Sequence, residues 1–324
     1  MFYLLQKDLR FQIFVLLALT GLFCFQLFVT PVAFCLYNPS LPYALSLDEW
    51  TAQNQATARG AILGLYVLQQ LLLYNYFKKN RFADNETIIP CIALAAFMVA
   101  GGIASHCTPV YIANTAVIGL LRLSDDSESR HLKSRLLVAG ALVGIASLYD
   151  LTLLLLAVAV ILILVTNRLN TFNDIFVALI GILVPYIYVA AYHFFVGNLT
   201  DYLASFSHLS LQFPLLEARP SIVSVVCIVV CIALLIFILL KLKVRFDYKL
   251  IVIRKRFGNI HFLFIVSAAI LFLTNLPFPQ SLGYLFVPIA LYLAAYAPSR
   301  RFSITKEVVL TLFITAITLI GIGL

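Results

Sequence analysis

The feature that most constrains this chain is a succession of long apolar runs, broken by short polar stretches in which Lys and Arg recur at every second break. A helix rises about 1.5 Å per residue, so roughly 20 apolar residues cross the hydrocarbon core of a bilayer. Runs of this kind, shortened in places to about 14 residues, fall at 11–33, 59–77, 88–104, 108–121, 136–149 and 151–166. Five more follow at 172–196, 221–241, 259–276, 281–297 and 306–324. In lipid, only helices and closed barrels satisfy the backbone, and runs of this length are helical. The fold class they predict is all-α: a polytopic transmembrane helix bundle of about eleven spans, with 1–324 forming a single transmembrane domain. A composition of 63% hydrophobic and 11% charged residues excludes a water-soluble globular domain, which carries roughly a quarter charged.

The charges fix an orientation. If the breaks are numbered alternately from an inside N-terminus, all but Arg59 and Arg219 of the 22 Lys and Arg fall on the inner side. That asymmetry is the positive-inside pattern, which predicts N-terminus inside and C-terminus outside. It also accounts for the net charge of +8 without nucleic acid as a partner. The first run is too long for a signal-peptide core and no small-residue cleavage site follows it, so it is expected to remain as an anchor. The spans at 108–121 and 136–149 reach only about 21 Å. The basic residues flanking them demand an even number of crossings, either as tight hairpins turning at His106–Pro109 and at Asp150 or as re-entrant pairs. Between 241 and 249, charges on alternate residues predict an extended surface segment. Lys241, Lys243 and Arg245, with Arg254, Lys255 and Arg256 behind them, are expected to meet anionic lipid head groups.

The acids and histidines predicted outside are the candidates for chemistry. Asp48-Glu49 lies in the first outer loop, Phe34 to Arg59, where a carboxylate pair over a membrane cleft can act as general base or hold a metal. The same residues fit a capping box, with Ser46 capping a helix from Leu47. Asp150 sits between two apolar runs, where a carboxylate is costly unless paired or wet; it is either functional or a cap for the sixth helix. Asp48, Glu49 and Asp150 are the catalytic candidates. His193, closing the seventh span, His208 on the polar side of an amphipathic helix near 199–209, Arg219 and Arg59 are the substrate-binding candidates. These groups either converge on one site or are polarity spread around a rim. No cluster has metal-ligand spacing, and a Cys35–Cys107 disulfide is allowed by their shared side. Small residues in the third and fifth spans predict close helix packing, and Cys227 with Cys231 share one helix face.

Leu47-Asp48-Glu49-Trp50, in a long first outer loop behind the first span, resembles the acidic motif of the GT-C superfamily of membrane glycosyltransferases, which use polyprenyl-phosphate sugars. Leu137 to Ile163 is similar to the small-residue hairpin of that core. The resemblance covers 1–220 as a GT-C-like core and leaves 221–324 as C-terminal helices. It implies Asp48 as catalytic base, Glu49 as a divalent-metal or acceptor contact, Arg219 as a phosphate contact and a polyprenyl-phosphate lipid as partner. A second segment, Val110 to Ile163, carries Asn114, Leu120-Leu121-Arg122, Ala139-Gly140 and Gly144-Ile-Ala-Ser-Leu148. It resembles a family of uncharacterised multi-pass inner-membrane proteins of Gram-negative bacteria, which implies the bacterial inner membrane as compartment. The expected function is transfer of a lipid-linked sugar at the outer leaflet. One alternative is a non-catalytic subunit of an envelope-assembly or secretion complex, packing on a membrane-protein partner through its small-residue and Cys227 faces. The other is a transporter, which calls for mid-membrane ionisable residues or an internal repeat.

Overall fold

The computed structural model describes residues 9–30, 53–80, 82, 87–102, 108–124, 132–166, 172–205, 222–248, 250–274, 276, 280–297 and 304–322. Among them there is no strand. The helices are α1 (Leu9–Val29), α2 (Gln55–Asn80), α3 (Ile89–Ala100), α4 (Thr108–Ser124), α5 (Leu132–Tyr149) and α6 (Leu156–Thr166). They continue as α7 (Phe172–Val196), α8 (Leu199–Ser205), α9 (Ile222–Asp247), α10 (Ile251–Leu273), α11 (Phe286–Tyr296) and α12 (Ile304–Ile322). Each apolar run of the sequence has become one helix, and the amphipathic helix expected near 199–209 is α8, described over Leu199–Ser205. α1, α2, α5, α7, α9 and α10 are long and apolar enough to cross a membrane by length and composition. The protein is an all-α integral membrane bundle.

The two runs that looked too short are longer as helices. α4 has 17 residues and α5 has 18, giving lengths of about 25 and 27 Å, because polar residues at their ends extend the apolar stretch. α6 and α11 gain length differently. Each follows a 3-10 turn, Leu151–Leu155 and Gln280–Leu285, whose steeper rise brings the pair to about 26 and 28 Å.

α3 and α11 form the centre. Every residue of α11 is buried, and α3 is buried along most of its length against α1, α11 and α12. Small side chains permit this: Ala93 and Ala95 on α3, and Ala290, Ala294 and Ala295 on α11, let backbones approach. Phe97 fills the remaining space against Phe286 and Phe313, with ring centroids 5.5 and 6.0 Å away. The closest approach in the bundle is between α5 and α7. A Cβ added at Gly140 would collide with the Ala178 carbonyl, and one added at Gly181 with the Leu137 carbonyl. A Cβ at Gly144 would lie 2.5 Å from the Ile182 carbonyl oxygen. The small residues of the fifth span therefore seat α7, which is not the hairpin partner α6.

Two further expectations are corrected. Residues 241–247 are not extended, since α9 runs on through Asp247. Ile238, Leu242 and Phe246, spaced four apart, are all buried, so the alternating charges lie on the outer side of a helix. Nor is the Cys227 face open to a partner protein. Cys227 is buried with Ala316 and Ile320, and it packs α9 on α12 within the chain.

Candidate functional site

The bundle has two chemically distinct ends. At one, Phe82, just beyond α2, lies 6.2 Å from the Phe246 ring near the end of α9 and 6.5 Å from Phe257 near the start of α10. Arg245 Nη1 donates to the Ala295 carbonyl at 2.8 Å and brings the end of α11 to the same place. Gln12 Oε1, near the start of α1, accepts from the Ile88 amide at 2.9 Å before α3. Of the described Lys and Arg, Arg59 alone is at the other end.

At that other end, Asp150 is the best defined of the candidates. It has extended backbone, with φ −144 and ψ 113, and caps the 3-10 turn before α6. Its Oδ1 accepts from the Thr152 amide at 3.0 Å and from Thr152 Oγ1 at 2.6 Å. Its Oδ2 accepts from Thr274 Oγ1 at 2.7 Å and Tyr284 Oη at 2.8 Å. The carboxylate thus joins the end of α5, the end of α10 and the 3-10 turn before α11. It has the capping role weighed from the sequence and an inter-helix role that the sequence could not disclose.

His193 is 7% exposed and stacks on Tyr202 with centroids 4.9 Å apart and planes 11° apart. It anchors α8 beneath the last turn of α7. The Arg59 guanidinium lies 5.7 Å over the Phe28 ring, and Nη2 reaches the Thr30 carbonyl at 3.5 Å, tying the start of α2 to the end of α1. Asp48, Glu49, His208 and Arg219 are outside the described residues, as are Cys35 and Cys107. Asp150, His193 and Arg59 are each committed to separate packing contacts.

The basic end holds what sequence reasoning missed. A groove of about 700 Å³ opens between the last turns of α2 and α4 and the first turn of α5. Lys78 and Lys79 line it from α2, Arg122 from α4 and Arg135 from α5. Its apolar wall is Leu72, Val138 and Leu142, and Asn75 adds an amide. Gly119 lets the wall close, because a Cβ there would stand 2.5 Å from Leu142 Cδ1. Arg135 is half-buried while Lys78, Lys79 and Arg122 reach solvent, and the Lys78 ammonium lies 5.8 Å over the Tyr74 ring. Cations in the last turns of α2 and α4 complement the negative ends of those helix dipoles. Arg135 is in the opposite situation. It occupies the first turn of α5, at the positive end. An anion seated there gains from the cations and from the positive end of α5, against the negative ends of α2 and α4.

The other cations expected to meet lipid lie on α9 and α10. Lys241 lies 5.7 Å over the Phe237 ring, Arg245 is taken up by α11 as above, and Lys243, Arg254 and Lys255 are exposed on helix surfaces. Comparison of this chain with protein-family models, with characterised proteins and with solved structures finds no match, so its reading rests on the geometry alone.

Proposed function

We propose that this integral membrane protein binds a phosphate-bearing lipid in the groove between α2, α4 and α5. The observation that carries the reading is the combination of four cations with an apolar wall at one end of a membrane bundle. Basic pockets between membrane helices at head-group depth suit anionic lipids. The groove's wall of Leu72, Val138 and Leu142 offers an acyl or prenyl chain an apolar seat.

A polyprenyl phosphate is an anionic amphiphile of the same kind, so the GT-C resemblance is compatible with this binding. The transfer that the resemblance implies would use Asp48 as base with Glu49 and Arg219, on the face opposite the groove in the predicted topology. The compartment, the inner membrane of a Gram-negative bacterium, rests on the resemblance of Val110 to Ile163. Assembly with a second membrane protein has less support, because the small-residue and Cys227 faces meant for it are used within the chain.

The test is lipid retention. The protein is extracted in mild detergent and its bound lipids are identified by native mass spectrometry. Wild type should carry anionic phospholipid, and Arg122→Gln with Arg135→Gln should lose most of it while staying monodisperse. Equal retention by both would overturn the reading.

A further inference from the structure

Resting on that lipid-binding reading, we infer that one hydrocarbon chain of the bound lipid runs in a slot along α4, from the basic groove over Gly119 towards Ile112, so that chain and head are recognised together. The slot follows from how three helices are arranged. α4 packs on α2 along one side and on α5 along another, while α2 and α5 barely meet among the described residues. The strip of α4 between them is left uncovered. Of the residues from Pro109 to Arg122, all are buried except Ile112, Thr115, Gly119 and Arg122. Steps of three, four and three residues put these four in one line along the helix.

The line has the length and the chemistry of a chain site. From Arg122 to Ile112 it rises about 15 Å, half of a hydrocarbon core roughly 30 Å thick. A chain of one leaflet has that reach when its head sits at the basic end. Beyond Arg122 the floor is apolar. Gly119 has no side chain, and the Thr115 hydroxyl is engaged within the bundle, donating to the Tyr111 carbonyl at 2.8 Å and accepting from Gln69 Nε2 at 3.0 Å. Leu72 stands on the α2 side, with Val138 and Leu142 on the α5 side. Leu68, one turn deeper on the same face of α2, is 42% exposed and Val138 is 46% exposed, apolar area that a chain would cover. The fit is tightest at Gly119, because Leu142 Cδ1 lies 2.5 Å from where a Cβ would stand. A larger residue there fills the floor and drives Leu142 into the slot.

The full-length protein, in nanodiscs of phosphatidylcholine, is titrated with dodecyl phosphate and with butyl phosphate, which share a head and differ in chain. Dodecyl phosphate should bind tighter, beyond its partition into empty nanodiscs. Gly119→Leu and Val138→Trp should each weaken dodecyl phosphate about tenfold, the loss of about two buried methylenes, and leave butyl phosphate unchanged. Val138 is exposed, so its replacement leaves the core intact and carries the test even if Gly119→Leu does not fold. Arg122→Gln with Arg135→Gln should weaken both probes, and Leu183→Trp, on the exposed face of α7, should change neither. Unchanged dodecyl phosphate binding in the slot variants, with loss in the arginine pair, would overturn the inference and leave the lipid-binding reading standing. Butyl phosphate binding as tightly as dodecyl phosphate would show that the head alone is recognised, and it would overturn the inference too. Binding of neither probe above empty nanodiscs would overturn both readings. Loss in Val138→Trp with none in a folded Gly119→Leu would take the chain off the α4 floor, and a loss in Leu183→Trp as large as in the slot variants would make the effect one of any lipid-facing change; either result would overturn the inference.

Discussion

Asp150 Oδ2 accepts the Thr274 hydroxyl at 2.7 Å across 124 residues of chain. With the Tyr284 hydroxyl on the same oxygen, this carboxylate closes one end of the bundle. A charged acceptor roughly doubles the strength of each bond, and inside the bundle neither hydroxyl has water as an easy substitute. The finding also bears on chemistry, since the four donors around Asp150 hold it as a structural acceptor.

Thr274→Val keeps the shape and removes one bond to Oδ2. It should cost about 1–3 kcal/mol, read as a lower unfolding temperature in detergent. Combined with Tyr284→Phe the loss should be less than additive or more than additive, because both hydroxyls share one oxygen. Strict additivity, or no loss from Thr274→Val, would remove the node from the account.

Glycine substitutions should split by position. Gly140→Ala and Gly181→Ala force side chains into backbone carbonyls of the facing helix and should cost about 1–3 kcal/mol or prevent assembly. Gly64→Ala, also inside a helix but with nothing within 4 Å of its Cβ, should be neutral or stabilising by about 0.5–1 kcal/mol. Equal effects at the three positions would mean that helix propensity, and not the α5–α7 seam, governs them.

The spans were legible because hydrocarbon thickness acts on the sequence directly: enough apolar residues in a row leave one structural answer. What was not legible depends on which helices are neighbours. Arg122 and Arg135 flank a polar break between two apolar runs, and only the packing of α2 on α4 and of α4 on α5 turns them and Lys78-Lys79 into one groove. Asp150 was visible as a cap for the sixth helix, the role its bond from the Thr152 amide fills, while Thr274 and Tyr284 lie more than a hundred residues away. The alternation at 241–247 misled for a local reason. Buried Ile238, Leu242 and Phe246 carry a helical spacing that the charges between them obscured.

The sidedness gives a topology prediction. With the described Lys and Arg other than Arg59 gathered at one end, reporters fused after Lys79, Arg135 and Arg256 should read cytoplasmic, and a fusion after Asn54 should read outside. Fusions after Arg301, Leu209 and Leu324 extend the test to stretches outside the described residues, the first cytoplasmic and the other two outside. An inside signal at Leu209 would break the eleven-span arrangement.

The transfer chemistry that the GT-C resemblance implies can be separated from structure at Asp48. Asp48→Asn keeps the size of the side chain and can still accept a capping hydrogen bond, so it should cost at most about 1 kcal/mol of stability. If Asp48 is a general base, the same change removes the proton acceptor and should lower turnover by about 10² to 10⁴. Asp150→Asn should behave in the opposite way. It weakens a charge-assisted node, so the unfolding temperature falls, and whatever turnover the folded fraction has is retained. The measurement is transfer from a pool of polyprenyl-linked donors by monodisperse wild type and both variants, with unfolding temperature recorded alongside. Loss of transfer at unchanged stability in Asp48→Asn, with the reverse in Asp150→Asn, supports catalysis at the first outer loop. Loss of transfer in Asp150→Asn at unchanged stability would make Asp150 the reacting carboxylate despite its four donors, and absence of transfer by wild type would leave lipid binding as the protein's chemistry.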